Sequence, residues 1–176
     1  MQAIAFLDRD GTLNKEKNYL HKWDDFEWLP GAKDLIKGLK EKGYIVAIVT
    51  NQSGIARGYY TAEDVQILHK KLNEDLLNSH HVSIDHFQLC PHHPEFSGKC
   101  SCRKPGTEML ENVIQKYTSF DKENSFILGD KEIDLQAGER LGIKGYLAPF
   151  GYSKTYVDRV ADECIVSSYK NLLENL

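Results

Sequence analysis

The chain has 176 residues, 41% hydrophobic and 27% charged, which is enough apolar material for one sizeable core. That length nearly excludes a full-sized lid domain beside a catalytic domain of ordinary size. A formal net charge of −4, from 22 Lys and Arg against 26 Asp and Glu, argues against a broad basic footprint for nucleic acid. It leaves room for a local basic pocket that takes a small anion.

In chain order, residues 3–7 read as a strand. Residues 31–42 read as a helix, with Leu35, Ile36 and Leu39 at helical spacing and Gly43 as its stop. Residues 44–50 form an uninterrupted apolar run rich in β-branched side chains, as expected of a strand covered on both faces. Thr61 is a good N-cap for a helix that runs to about Asn78 and carries Val65, Leu68, Leu72 and Leu76 inside. Residues 84–89 give a third strand, 107–117 a helix, 125–128 a strand, 132–141 a helix and 145–148 a strand. Residues 164–166 read as a final short strand before a helix at 168–175, with Cys164 as a small core residue of that strand.

Strand alternating with helix predicts an α/β fold with a doubly wound, mainly parallel, Rossmann-like sheet in a single domain over 1–176. No apolar stretch approaches the ~20 residues of a membrane span. The opening MQAIAFLDRD meets charges too early for a secretory signal, so a cytoplasmic protein is expected. Two long loops stand out, residues 14–30 and 90–105. In such sheets the ligand crevice lies at the carboxyl ends of the strands, so the residues that follow each strand carry the chemistry.

The first strand ends in DRDGT. Asp8 and Asp10 are close enough to repel unless a cation lies between them, and a hard divalent ion with oxygen ligands fits. The second strand ends in TNQSG, where Thr50, Asn51 and Ser53 bring a hydroxyl, an amide and a tight turn able to cradle phosphate. Before the third helix come Arg103 and Lys104, candidates to grip substrate oxygens and to neutralise a transferring phosphoryl group. The fourth strand ends in GDKEID, which places Asp130 as a third carboxylate. Asp134, one helical turn on, is read chiefly as helix-capping charge. Each motif alone also reads as an ordinary polar turn. Together they put Asp, Thr, Lys and Asp at successive strand ends, which points to phosphoryl transfer with Mg²⁺ and a carboxylate nucleophile.

Cys90, His92, Cys100 and Cys102 cluster in the second long loop. A disulfide across the single residue between Cys100 and Cys102 would be strained. Three thiolates and one imidazole suit tetrahedral Zn²⁺, and a full shell of four protein ligands makes such a site structural. His93 in place of His92, or free thiols, are the alternatives.

DRDGT, TNQSG, RKP and GDKEID resemble the four motifs of the haloacid dehalogenase superfamily of phosphatases, over nearly the whole chain. YLHKWDDFEWLPG, TNQSGIARGYYT, CPHHP and CSCRKP are most similar to the heptose bisphosphate phosphatases, in a subgroup shared with the histidinol-phosphate phosphatases. The resemblance implies Asp8 as nucleophile, Asp10 as general acid/base, and Thr50 and Lys104 as holders of the phosphoryl group. It implies Mg²⁺ on Asp8, Asp130 and the Asp10 carbonyl, and His92 as the zinc-binding histidine. Arg103 would recognise substrate, Asn18 and Tyr19 would contact the sugar, and Arg57 would shape the pocket. Lys17, with Arg103, is a candidate for a second anion site, although surface charge is its plainer reading. The implied substrate is a phosphorylated sugar, a heptose bisphosphate of surface-glycan synthesis, with histidinol phosphate as the alternative. The implied enzyme is a monomer.

Two readings from other classes compete. A phosphate-accepting receiver domain shares the sheet and the acidic cluster but takes its phosphate after the third strand, which here enters the cysteine loop. A zinc-stabilised adaptor would leave the four aligned strand ends without a purpose.

Overall fold

The computed structural model describes residues 1–176. Five parallel strands form one sheet: β1 (Ile4–Leu7), β2 (Ile45–Asn51), β3 (His86–Cys90), β4 (Phe126–Gly129) and β5 (Lys144–Leu147). Their order across the sheet is β3-β2-β1-β4-β5. The chain therefore starts at the centre, winds outward through β2 and β3, and returns to add β4 and β5 on the other side. The reversal lies between β1 and β4, which pair directly through Ala5–Phe126, Phe6–Ile127 and Leu7–Leu128. Such a switch point opens a crevice at the carboxyl ends of the strands.

The apolar strands are buried on both faces. Ala5, Leu7, Val46 and Ile48 pack into one core, with the helix α1 (Ala32–Glu41) above it through Leu35, Ile36 and Leu39. Ile4, Phe6, Ala47 and Val49 alternate into the other, against α4 (Glu108–Ile114) and α5 (Glu132–Leu141). The remaining helices are α2 (Ala62–His80), the single-turn α3 (Pro94–Ser97), α6 (Ser153–Tyr156) and α7 (Tyr169–Asn175). Thr61 caps α2 as expected: its side chain and that of Asp64 exchange hydrogen bonds with each other's backbone N–H in a capping box. No helix is long and apolar enough to cross a membrane.

Two expectations need correction. Residues 164–166 do not form a strand. Asp162–Cys164 is a 3-10 turn, and only Ile165 bridges to Leu147. Cys164 is accordingly half-buried rather than a core residue. Both long loops also carry structure of their own. The first, residues 14–30, contains the 3-10 turn Trp23–Asp25 and is tied down where Trp28 Nε1 donates to Asp75 of α2 at 2.9 Å. The second contains α3.

Candidate active site

The carboxyl ends of β1, β2 and β4 meet at a cleft of about 360 Å³ lined by Asp8, Asp10, Asn18, Tyr19, Thr50, Asn51, Ser53, Arg103 and Lys104, among others. Asp8, Asp10, Thr50, Lys104, Arg103, Asn51, Ser53, Asn18 and Tyr19, the residues expected to carry catalysis and contact substrate, thus face one cavity. Lys17 does not reach it. Its ammonium donates to the Asp25 carbonyl at 2.7 Å and lies 3.6 Å from Glu27, so surface charge describes it.

Asp8 follows β1, and its N–H donates to Leu128 of β4 at 2.9 Å. One carboxylate oxygen accepts from Lys104 Nζ at 2.7 Å. Burial pushes the Asp8 carboxyl up to about 6, and Asp134 adds to this, while Lys104 opposes both. Burial would also lower the Lys104 ammonium. Asp134, at 2.6 Å, and Asp8 outweigh that effect and hold it firmly protonated. The side-chain amide of Asn51 fixes the lysine from behind. Its oxygen accepts the Lys104 N–H at 3.0 Å, and its nitrogen donates to the Lys104 carbonyl at 3.3 Å.

Asp134 caps a helix, as its spacing suggests, and it also reaches the lysine of the cleft. One oxygen accepts the Lys131 N–H at 3.1 Å and caps α5, and the other pairs with Lys104 beneath the cleft.

Asp10 sits differently from Asp8. Its carboxylate accepts from Arg9 Nη2 at 2.9 Å, Asn14 Nδ2 at 3.0 Å and Gln52 Nε2 at 2.8 Å. Burial alone would raise it, but the Arg9 guanidinium and these donors prevail and hold it below the ordinary carboxylate range. Gln52 also donates to Thr50 Oγ1 at 2.8 Å and accepts from Tyr60 at 2.7 Å, which orients both the amide and the hydroxyl.

Asp8, Asp130 and Asp134 can bring one carboxylate oxygen each within 4.8 Å of the others. Asp130 is fully buried. Burial pushes it up to about 7, with Asp8 adding to the shift, and its Oδ1 has no hydrogen-bond partner. Unsatisfied buried carboxylate oxygens beside a second carboxylate are what a hard divalent cation relieves, so the residues fit Mg²⁺. Gly11 and Gly151, at φ of 85° and 66°, let the backbone lie against Asp130, where any Cβ would collide with its carboxylate. The Asp10 carboxylate is committed to Arg9, Asn14 and Gln52, so only its backbone carbonyl is free to join such a set.

At the end of β3, Cys90, His92, Cys100 and Cys102 converge. Cys90 Sγ lies 3.6 Å from Cys100 Sγ and 2.9 Å from Cys102 Sγ, and His92 Nδ1 lies 3.3 Å from Cys102 Sγ. Zn–S bonds of about 2.3 Å put tetrahedral sulfurs ~3.8 Å apart; the two 3.6 Å separations to Cys100 approach this, Cys90 and Cys102 would part by ~0.9 Å, and three thiols with one imidazole are the donor chemistry that zinc takes. His93 points elsewhere and caps α3 by accepting the Glu95 N–H. Arg103 links this loop to the cleft by donating to the His92 carbonyl at 3.1 Å.

Sequence reasoning passed over Arg9, Gln52 and Lys131. Lys131 directly follows Asp130 and lines the cleft, and position alone could have found it. Gln52 lies two residues after Thr50, on the same side of an extended segment. Arg9 left no signal: flanked by two aspartates, it reads as surface charge, yet it is completely buried.

A doubly wound parallel sheet with a lysine-paired aspartate at its switch point and a buried carboxylate cluster beside it defines a phosphatase of the haloacid dehalogenase class. A family model described as Polynucleotide kinase 3 phosphatase matches residues 3–140, and the chain belongs to this family of haloacid dehalogenase-like phosphatases. It is 46% identical, over 80% of its length and 78% of the relative's, to D-glycero-alpha-D-manno-heptose-1,7-bisphosphate 7-phosphatase from Photorhabdus laumondii. It is 43% identical, over 81% of its length and 80% of the relative's, to D-glycero-beta-D-manno-heptose-1,7-bisphosphate 7-phosphatase from Haemophilus ducreyi. The crystal structure of D,D-heptose 1,7-bisphosphate phosphatase from B. bronchiseptica, complexed with magnesium and phosphate, superposes with a TM-score of 0.87 at 28% identity, covering 99% of this chain and 97% of that one.

Proposed function

We propose that the chain is a Mg²⁺-dependent phosphomonoesterase that removes the 7-phosphate of D-glycero-D-manno-heptose 1,7-bisphosphate through an aspartyl phosphate on Asp8. The observation that carries this reading is the buried Asp8–Lys104–Asp134 chain under a cleft walled in part by the 14–30 loop and the cysteine loop. Relatives named for the heptose substrate, at 46% and 43% identity, favour it over histidinol phosphate. The acidic net charge speaks against a polynucleotide.

In the first step Asp8 attacks phosphorus in line, forming a new P–O bond as the bond to the sugar oxygen breaks. Thr50 and Lys104 hold the phosphoryl oxygens. Asp10 donates a proton to the departing alkoxide. A phosphate dianion beside Asp10 raises its proton affinity in the complex, which offsets the Arg9, Asn14 and Gln52 donors. In the second step Asp10, now ionised, takes a proton from the water that attacks the aspartyl phosphate, and inorganic phosphate leaves. Mg²⁺, when bound at Asp8, Asp130 and the Asp10 carbonyl, supplies the positive charge that lets an anionic nucleophile approach an anionic substrate. Zn²⁺ on Cys90, His92, Cys100 and Cys102 ties the loop that carries Arg103 and takes no part in the chemistry. A monomer in the cytoplasm, serving surface-glycan synthesis, completes the reading.

The test is phosphate release with Mg²⁺ from both heptose bisphosphate anomers, fructose 1,6-bisphosphate and histidinol phosphate. The heptose substrates should give the highest kcat/KM. A clear preference for histidinol phosphate would overturn the assignment.

A further inference from the structure

Arg57 lies in the turn after β2, where its N–H donates to the Ser53 carbonyl at 3.2 Å. The phosphoryl chemistry makes no use of it. Its side chain forms no ion pair, since the arginine pairs of the chain belong to Arg9 and Arg159, and its Nε is buried without a hydrogen-bond partner. Aromatic rings hold it instead. The guanidinium carbon stands 4.3 Å from the ring centroid of Phe96, in α3 of the cysteine loop, and 6.0 Å from that of Tyr19, in the 14–30 loop. Arg57 Nη2 also lies 3.4 Å from His93 Nε2. That ring also accepts the Glu95 N–H on Nδ1 at 3.3 Å, at the start of α3.

The two loops that Arg57 touches differ in what else secures them. The cysteine loop is already joined to the Arg57 turn, because the Ala56 N–H donates to the Pro91 carbonyl at 3.1 Å. The Tyr19 side has no backbone hydrogen bond to that turn; beside it the Leu20 carbonyl accepts from Arg9 Nη2 at 2.8 Å and His21 stacks on Tyr60 at 4.7 Å. Asn18 and Tyr19 hold φ values of 25° and 63°, in the left-handed region that non-glycine residues occupy at a cost. Both line the cleft. Tyr59, two residues after Arg57, meets Tyr19 edge to face at 4.8 Å. The second residue of this strained, cleft-lining pair, Tyr19, is therefore supported by Arg57 and Tyr59.

We propose that Arg57 is a positioning residue for substrate selection: by stacking on Phe96 and Tyr19 it joins the cysteine loop to the 14–30 loop, so that three loops present one rim to the part of the substrate beyond the transferred phosphate. With no cap domain, this clasp sets how the rim meets a large substrate. The choice of a sugar bisphosphate as that substrate rests on the proposed function above. The joining of the loops does not.

The experiment compares Arg57→Ala and Arg57→Lys with the parent protein. Lysine keeps the charge and loses the planar face. KM for heptose bisphosphate should rise about tenfold in both variants, with kcat changing less. The loss in kcat/KM for phenyl phosphate, which does not reach the rim, should be several-fold smaller. Amide hydrogen exchange should quicken together in residues 16–22 and 91–98. Equal losses on the two substrates, no loss, full rescue by Arg57→Lys, or exchange confined to one loop would each overturn the clasp. A parent protein that does not hydrolyse heptose bisphosphate would refute the functional reading, and the exchange measurement would still decide on Arg57.

Discussion

The Lys104 ammonium lies 2.7 Å from the Asp8 carboxylate, and both side chains are buried. A second carboxylate, Asp134, holds the same ammonium from below at 2.6 Å. Removing the cation leaves two carboxylates uncompensated. Lys104→Met should therefore destabilise the protein by ~3–5 kcal/mol at pH 7. Urea unfolding monitored by circular dichroism reads this directly. A loss below ~1 kcal/mol would mean that the pair is solvated and the buried charge chain is wrong.

Gly11 gives a sharper steric prediction. Its φ of 85° and its contact with the Asp130 carboxylate leave no place for a methyl group. Gly11→Ala should cost ~1–2 kcal/mol from the backbone alone. By displacing Asp130 it should also weaken Mg²⁺ binding. Calorimetric titration with Mg²⁺ checks the second effect, and unaltered affinity would separate Asp130 from the cation.

His69 sets a pH dependence. It is buried in α2, stacks on Phe87 at 4.5 Å and faces Arg9 Nη1 at 3.3 Å through Nε2. Burial pushes its pKa down to about 3, and Arg9 pushes the same way, while Asp10 opposes them. The fold holds the imidazole neutral, whereas the unfolded chain binds a proton below its ordinary pKa of about 6.5. The native state's advantage is thus complete above pH ~6.5 and is lost as pH falls from there towards 3. The slope is ~1.4 kcal/mol per pH unit, or about 2 kcal/mol by pH 5. His69→Gln keeps an acceptor for Arg9 without a titrating ring, so its stability should fall less between pH 7 and 5. Parallel stability curves for the two proteins would remove His69 from the account.

The cysteine loop predicts one zinc per chain. Zinc at about 100 times its Kd adds ~2.7 kcal/mol, roughly 5–10 °C in Tm for a chain of this size. Cys102→Ser should lose both the metal, measured by elemental analysis, and that increment of Tm. A zinc content and Tm equal to the parent's would contradict the four-residue site.

How much of this could be read from the sequence follows the range of the interactions. The doubly wound sheet was legible because strand burial on both faces leaves unbroken apolar runs such as IVAIVT. Asp8, Thr50, Lys104 and Asp130 were legible because strand ends converge in such a sheet. Asp134 was half legible. Its spacing from Asp130 placed it on the right side of α5, but nothing local showed that Lys104 would lie beneath. Arg9 was not legible at all. Its burial depends on His69 of α2 and on the Leu20 carbonyl, which accepts from Arg9 Nη2 at 2.8 Å, and both are remote in sequence. Residues 164–166 misled because β-branched side chains favour a strand locally, while the sheet offers them only the Leu147 bridge.

The central claim is that Asp8 carries the phosphoryl group during turnover. The most direct measurement is acid quenching during steady-state turnover of heptose bisphosphate with Mg²⁺, followed by peptide mass spectrometry. A phosphoryl adduct on the peptide containing Asp8, absent in a folded but inactive Asp8→Asn protein, is the predicted result. Near-normal phosphate release by Asp8→Asn would contradict it.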